Sequence, residues 1–426
     1  MMGITNILTE LTFILLHLFI FLLSYYFLDK KITQPAVIFT LVWLTVVCLH
    51  LIFRFTLLDQ LEAVSERTHI TFLLGNIFFS SASILINQYF KIKPAILSTT
   101  DPHSKITNTT FRIVITLLAL IGLPFYIRAA FNIFLASQAE NFFIGLRYEL
   151  SYGDADIGPL KYFMPFAYVV FAFNLYGYYN KKDNLGRLLL IITFLVIIGY
   201  ALFATGRTYF FMILSIYLGI NLVANQAFSI KRSFAALFIF VSLFMIAGVI
   251  YGKGGNIADS VESNLKASSE NIGIYVVSAM NAFDIESAQP EAGKGGGENT
   301  LRFFIKVAME LDIISPRRLN DQNHQFVFVP YPTNVYTYYS PYTADFGNIF
   351  AWVMLAFYGA IHTYLYEVSI RIKSKRSIFY YTFLLFPLLL TFFTDFYLTG
   401  FSFWLQIVFF TEVMLFTDKL FVLKKW

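Results

Sequence analysis

The chain has 426 residues, of which 58% are hydrophobic and only 13% charged, with a mean hydropathy of +0.65. Soluble domains carry about half apolar and a quarter charged residues, so this composition argues against a water-soluble fold. The net charge of +5 does not indicate nucleic acid, because the basic residues fall in short clusters between apolar runs rather than along one face.

A helix needs about 20 mostly apolar residues to cross the hydrocarbon core of a bilayer. Runs of this kind lie at 7 to 28, 36 to 53, 70 to 90, 111 to 135, 159 to 179, 188 to 204, 208 to 224, 234 to 251, 347 to 367, 378 to 394 and 401 to 417. The first has no basic start and no small-residue cleavage site, and reads as a retained helix rather than a signal peptide. Cys48, the one cysteine, lies inside the second, so an intramolecular disulfide or a CxxC site is ruled out. The fourth contains Pro124 and Arg128, which predict a kink or an early end at the interface. Aromatics reach 19%, with 50 Phe and 27 Tyr, a bias that suits lipid contact and the headgroup level.

Between the eighth and ninth runs a long loop, 252 to 346, opens on Gly252, Gly254 and Gly255. It reads as a helix from Ser260, a candidate N-cap, to Phe283, then a Gly-rich break at 293 to 297 and a second helix from Thr300 to Leu311. The expected division is therefore helices 1 to 8 in 1–251, the loop in 252–346 and helices 9 to 11 in 347–426. The fold class is an all-α polytopic membrane protein, with about eleven transmembrane helices and a large, partly helical extracytoplasmic loop.

Orientation follows from Lys and Arg, which gather in short cytoplasmic loops. One set of connections holds Lys30, Lys31, Lys91, Lys93, Lys105, Arg112, Lys181, Lys182, Arg187, Lys231, Arg232, Arg371, Lys373, Lys375, Arg376, Lys419, Lys424 and Lys425. Apart from the long loop, the opposite set holds only Arg54, Arg67, Arg128, Arg147, Lys161 and Arg207. This imbalance places the N-terminus outside and the C-terminus inside. Residues 136 to 158, the Thr205-Gly206-Arg207 turn and the long loop then share the outer compartment, where any chemistry is expected.

Arg207 joins two apolar runs across a turn, so its guanidinium faces water or an anion. It reads either as a phosphate or pyrophosphate clamp or as an end-of-helix arginine reaching the headgroups. Arg302, Lys306, Arg317 and Arg318 form a second basic group, which suggests an anionic ligand when taken as a set. Residues 331 to 342 contain five tyrosines together with Asn334, and offer the stacking rings and polar donors that sugar binding needs. An interfacial aromatic belt is the alternative. Asp345, at the start of a span, could be held ionised as a general base or could serve as a cap. Glu149 is the other candidate base, and Arg147 nearby is either ion-paired or part of an anion site. The six histidines show no paired metal-ligand spacing, and His324 is the one in the active-looking region.

These residues give the chain a resemblance to the Wzy-type polymerases that join oligosaccharide repeat units in bacterial O-antigen, capsule and exopolysaccharide assembly. It is carried by Ala204-Thr205-Gly206-Arg207-Thr208, Tyr275 with Ala282-Phe283, Asn299-Thr300-Leu301-Arg302-Phe303-Phe304, and Thr333-Asn334-Val335-Tyr336-Thr337 with Asp345-Phe346-Gly347. The resemblance implies a GT-C-like helical membrane glycosyltransferase that needs no metal or other cofactor and works in the cytoplasmic (inner) membrane. Donor and acceptor would both be undecaprenyl-pyrophosphate-linked oligosaccharides, with a chain-length regulator and a flippase as partners. Arg207 and Arg302 carry over onto the family's turn and loop arginines. The expected site comprises Arg207 with Asp345 or Glu149 for the chemistry, and Arg147, Arg302, Arg317, Arg318, His324, Asn334, Tyr336 and Tyr339 for substrate binding. An O-antigen ligase-like transferase and a flippase for lipid-linked sugars are the alternative readings.

Overall fold

A computed structural model of the protein describes residues 2–56, 61–92, 108–225, 229–252, 261–289, 293, 295–317, 319, 326–329 and 332–423. All eleven apolar runs are helical: α1 (Met2–Phe27), α2 (Pro35–Thr56), α3 (Glu66–Ile92), α4 (Thr109–Ser137), α6 (Phe163–Asn180), α7 (Asn184–Phe203), α8 (Thr208–Ile220), α9 (Ile230–Ile250), α13 (Asn348–Arg371), α14 (Lys375–Leu389) and α15 (Phe401–Leu423). Eight of them, α1 to α4, α7, α9, α13 and α15, are long and apolar enough to cross a membrane on their own. In lipid every backbone N–H and C=O must be bonded within the segment, which is why uninterrupted apolar runs become helices. The protein is accordingly an all-α polytopic membrane protein.

The expected early end of the fourth run does not occur, since α4 continues through Pro124 and Arg128 to Ser137. It packs along α6 and α7, whose contacts compensate for the one backbone bond that proline removes. Four further helices occupy the segments expected outside: α5 (Phe142–Ser151), α10 (Val261–Ser287), α11 (Arg302–Glu310) and α12 (Tyr339–Phe346). The candidate cap Ser260 lies outside the described residues, and α10 runs four residues past the expected end at Phe283. A two-residue antiparallel pairing of β1 (Val327–Phe328) with β2 (Pro332–Thr333) precedes α12.

The chain forms two compact units. The first comprises residues Met1–Ile96, Glu270–Glu367 and Pro387–Ser402. Its core is aromatic: Phe39 stacks on Phe79 at 4.1 Å, and Trp43, Phe72, Phe283 and Tyr339 enclose one another with ring centroids 4.6–5.9 Å apart. Lipid exerts no hydrophobic drive between helices, so such dispersion contacts and interhelical hydrogen bonds supply the cohesion. The second half of α10 presents Val277, Met280 and Phe283 to this core at helical spacing. Polar bonds fix its register: His50 meets Asn281 at 2.8 Å, and Asp284 accepts hydrogen bonds from the Ser65 N–H and the Thr68 hydroxyl.

The second unit comprises Leu97–Ser269, Val368–Phe386 and Phe403–Trp426. Helix α6 is its hub, packed by α4, α7 and α8. Arg112, at the first turn of α4, is 2% exposed and donates to the Asn174 side chain at 3.0 Å and to its carbonyl at 3.2 Å. Gly177 makes room for it, since a Cβ there would fall 2.7 Å from the guanidinium. At the same end, Asp418 accepts from Lys375 at 2.9 Å and from the Asn108 N–H at 2.8 Å, which ties α15 to α4 and α14.

Candidate functional site

In the second unit α7 ends at Phe203, and the chain reverses through Thr205, whose φ of 58° is left-handed, into Arg207 at the N-cap of α8. Arg207 is only 7% exposed, and its guanidinium carbon sits 4.6 Å above the centre of the Phe244 ring. Such a cation–π contact orients the guanidinium without consuming its in-plane donors. Tyr251, just past the end of α9, donates its hydroxyl to the Leu202 carbonyl at 2.9 Å, and its own carbonyl accepts from Arg147 Nη1 at 3.2 Å. The Arg207 charge acts on that same tyrosine. Two arginines 60 positions apart in the chain thus act on Tyr251, Arg147 through its main-chain carbonyl and Arg207 through its charge. Glu149 lies on α5 one turn before Gly153, where an added Cβ would meet the Glu149 carboxylate at 2.6 Å. Arg147, Arg207 and Glu149 all belong to this unit.

The first unit holds the other candidates. Asp345 is 1% exposed and sits in the last turn of α12, not at the start of the following span. Its carboxylate accepts from the main-chain N–H groups of Asn299 and Thr300 at 3.1 and 2.7 Å, and from both of their side chains at 2.8 Å. This bonding leaves no exposed oxygen for a substrate hydroxyl, and it places the negative charge just before the N-terminus of α11, where the helix dipole favours it. The neighbouring Ala344 carbonyl accepts from the Gly293 and Gly295 N–H groups at 3.0 Å each. The described part of the glycine-rich break is therefore pinned to α12 at Gly293 and Gly295.

Arg302 opens α11, and Arg317 pairs with Glu298 at 3.1 Å on the surface. Tyr339 does not face a site: it is fully enclosed among Trp43, Phe72 and Phe283, in space that Gly75 leaves open. Asn334 and Tyr336 are half-buried, and Tyr336 is pushed up to about 12 by burial and then by the charge of Glu286. Arg318 and His324 lie outside the described residues.

Sequence reasoning passed over Glu286. Its carboxyl bonds to Ser340 and its charge acts on Tyr336, and burial raises its pKa above the ordinary 4.5. The signal available was the Asp284-Ile285-Glu286 pair of acids closing a helix whose other face is apolar. Of these two, Asp284 is spent on holding α3, whereas Oε2 of Glu286 has no hydrogen-bond partner among the described residues.

No protein-family model matches the chain, and no solved structure does. A protein of Escherichia coli (strain K12) carrying the name "Putative O-antigen polymerase" is 24% identical over 408 residues, which cover 89% of this chain and 91% of that protein. The similarity thus extends across both compact units and is not confined to one motif.

Proposed function

We propose that the protein is a polysaccharide polymerase of the cytoplasmic membrane, which joins lipid-linked oligosaccharide repeat units by glycosyl transfer on the outer face. The observation that carries this reading is the buried Arg207 held over the Phe244 ring at the α7–α8 turn, in a chain similar over nearly its whole length to a protein named for O-antigen polymerisation. The donor is a glycan on undecaprenyl pyrophosphate. An acceptor sugar hydroxyl attacks the anomeric carbon, the bond from that carbon to the pyrophosphate oxygen breaks, and the electron pair leaves with the pyrophosphate. The hydroxyl proton passes to a carboxylate, for which Glu149 is the candidate in the same unit. Fixed guanidinium donors stabilise the charge that builds on the departing diphosphate, and this term is commonly worth 10²–10³ in rate per donor group. Arg302, Asn334 and Tyr336 have the donors and the ring to hold sugars, and Asp345 positions Arg302 by bonding the turn before α11.

The test is Arg207→Ala, expressed in a strain deleted for the protein. The expected result is accumulation of single-repeat glycan with polymer reduced about 100-fold or more. Arg207→Lys, which keeps the charge and loses the fork, is expected to recover only part of the polymer. A ladder of wild-type length from Arg207→Ala would overturn the assignment. Intact long chains left on the lipid carrier in the deletion strain would instead identify a ligase.

A further inference from the structure

Beside the Thr205-Gly206-Arg207 turn, wholly within the second unit, the structure contains a cavity of about 380 Å³. We propose that this cavity is a binding subsite for one neutral glycosyl residue, namely the sugar that the donor carries directly on its diphosphate. The inference rests on the polymerase reading and names where that substrate is gripped.

The volume falls at the lower end of ordinary small-molecule pockets, about 300–1,000 Å³, and so suits one compact residue rather than a long chain. Tyr126 and Tyr209 line the cavity and supply aromatic surface of the kind that packs against the C–H side of a pyranose. The Gln406 amide and the Ser151 hydroxyl supply paired donors and acceptors for hydroxyl groups. An acyl chain would offer the exposed Ser151 hydroxyl and the half-buried Gln406 amide no hydrogen-bond partner. The rim carries Asp156 and Lys161, bonded to each other at 2.7 Å. Lys161 in turn holds the Asp156 carboxyl below the usual range, so the two charges stay formed and cancel. A lining whose two charges cancel does not select phosphate. The candidate anion-binding group, Arg207, does not line the cavity but follows its wall residues Thr205 and Gly206 directly in the chain. A diphosphate at Arg207 and a sugar in the cavity would then be neighbouring parts of a single ligand. Gly206 sets the spacing: a Cβ there would come 2.5 Å from the Tyr209 ring and displace it.

The experiment uses the full chain reconstituted in lipid nanodiscs, with a photoreactive benzophenone side chain at position 151. The probe is the lipid-linked single repeat unit extracted from a strain lacking the protein. Irradiation is expected to yield an adduct that retains glycan by mass spectrometry. Alongside it, Gln406→Leu, which nearly preserves shape, and Ser151→Trp, which fills space, are expected to raise KM for the repeat unit about tenfold or more. Adducts to carrier lipid or phospholipid alone, or an unchanged KM in both variants while Arg207→Ala still abolishes polymer, would overturn the subsite and leave the polymerase reading standing. Unaltered polymer from Arg207→Ala would bring down that reading itself.

Discussion

Asp345 shows how one buried carboxylate can serve architecture at the cost of availability for chemistry. Its oxygens satisfy two main-chain N–H groups, an amide and a hydroxyl from Asn299 and Thr300, and its own chain neighbour Ala344 secures two glycines of the same segment. Removing it would strand four donors, the two from Thr300 in a fully buried position. Asp345→Ala is therefore expected to lower stability by about 3–5 kcal/mol, and Asp345→Asn by less, as read from thermal unfolding in detergent. An unchanged melting temperature combined with lost polymer would return Asp345 to the chemistry. Tyr339 makes the same point among the aromatics, because a tyrosine in a tyrosine-rich connector serves a sugar only if its ring is reachable. The Tyr339 ring is sealed into the core.

At the scale of elements, the turn between α14 and α15 is organised by Asp395. This residue is 1% exposed and accepts from the N–H groups of Tyr397, Leu398 and Thr399 at 2.9, 3.1 and 3.0 Å, and from the Tyr342 hydroxyl at 3.2 Å. Burial nevertheless dominates and lifts its pKa from 3.8 to about 6. The folded state thus holds a proton that the unfolded chain has released between those two values, so folding takes up a proton in that window. The stability this group contributes is fully present below about pH 4 and is lost as pH rises through about 6, an effect of about 3 kcal/mol. Denaturation midpoints across that range should show the fall in the wild type. Asp395→Asn, which cannot titrate, should flatten it, and equal slopes in the two proteins would refute the account. Ring stacking of Tyr358 on Tyr397 at 3.9 Å closes the same turn against α13.

For the whole molecule, the decisive question is which side each connection faces. Basic residues predict that Lys182 and Lys373 are cytoplasmic and that Asp154 and Glu310 are outside. All four side chains are exposed, and Cys48 is the one native thiol, so single cysteines in a Cys48→Ala background can report the answer. An impermeant maleimide added to intact cells should label Asp154→Cys and Glu310→Cys. Lys182→Cys and Lys373→Cys should react only after permeabilisation. The reverse pattern would move the arginine pair and the cavity to the cytoplasmic side and would refute an outer-face reaction.

The apolar helices were readable from the sequence, eight of them long and apolar enough to cross a membrane, because helix formation in lipid is a local obligation: a run of about 20 apolar residues must bond its own backbone. The turn that carries Arg207 was readable for the same reason, as a charge between two such runs. What each polar side chain touches depends on partners far away in the chain, and no periodicity encodes it. Arg147 reaches Tyr251 across 104 positions, and Asp345 reaches Thr300 across 45. Glu286 acts on Tyr336 across 50 positions. Local pattern thus determined the apolar helices but not α5 and α12, and long-range packing decided which acids remain open to a substrate and which are consumed in holding the fold.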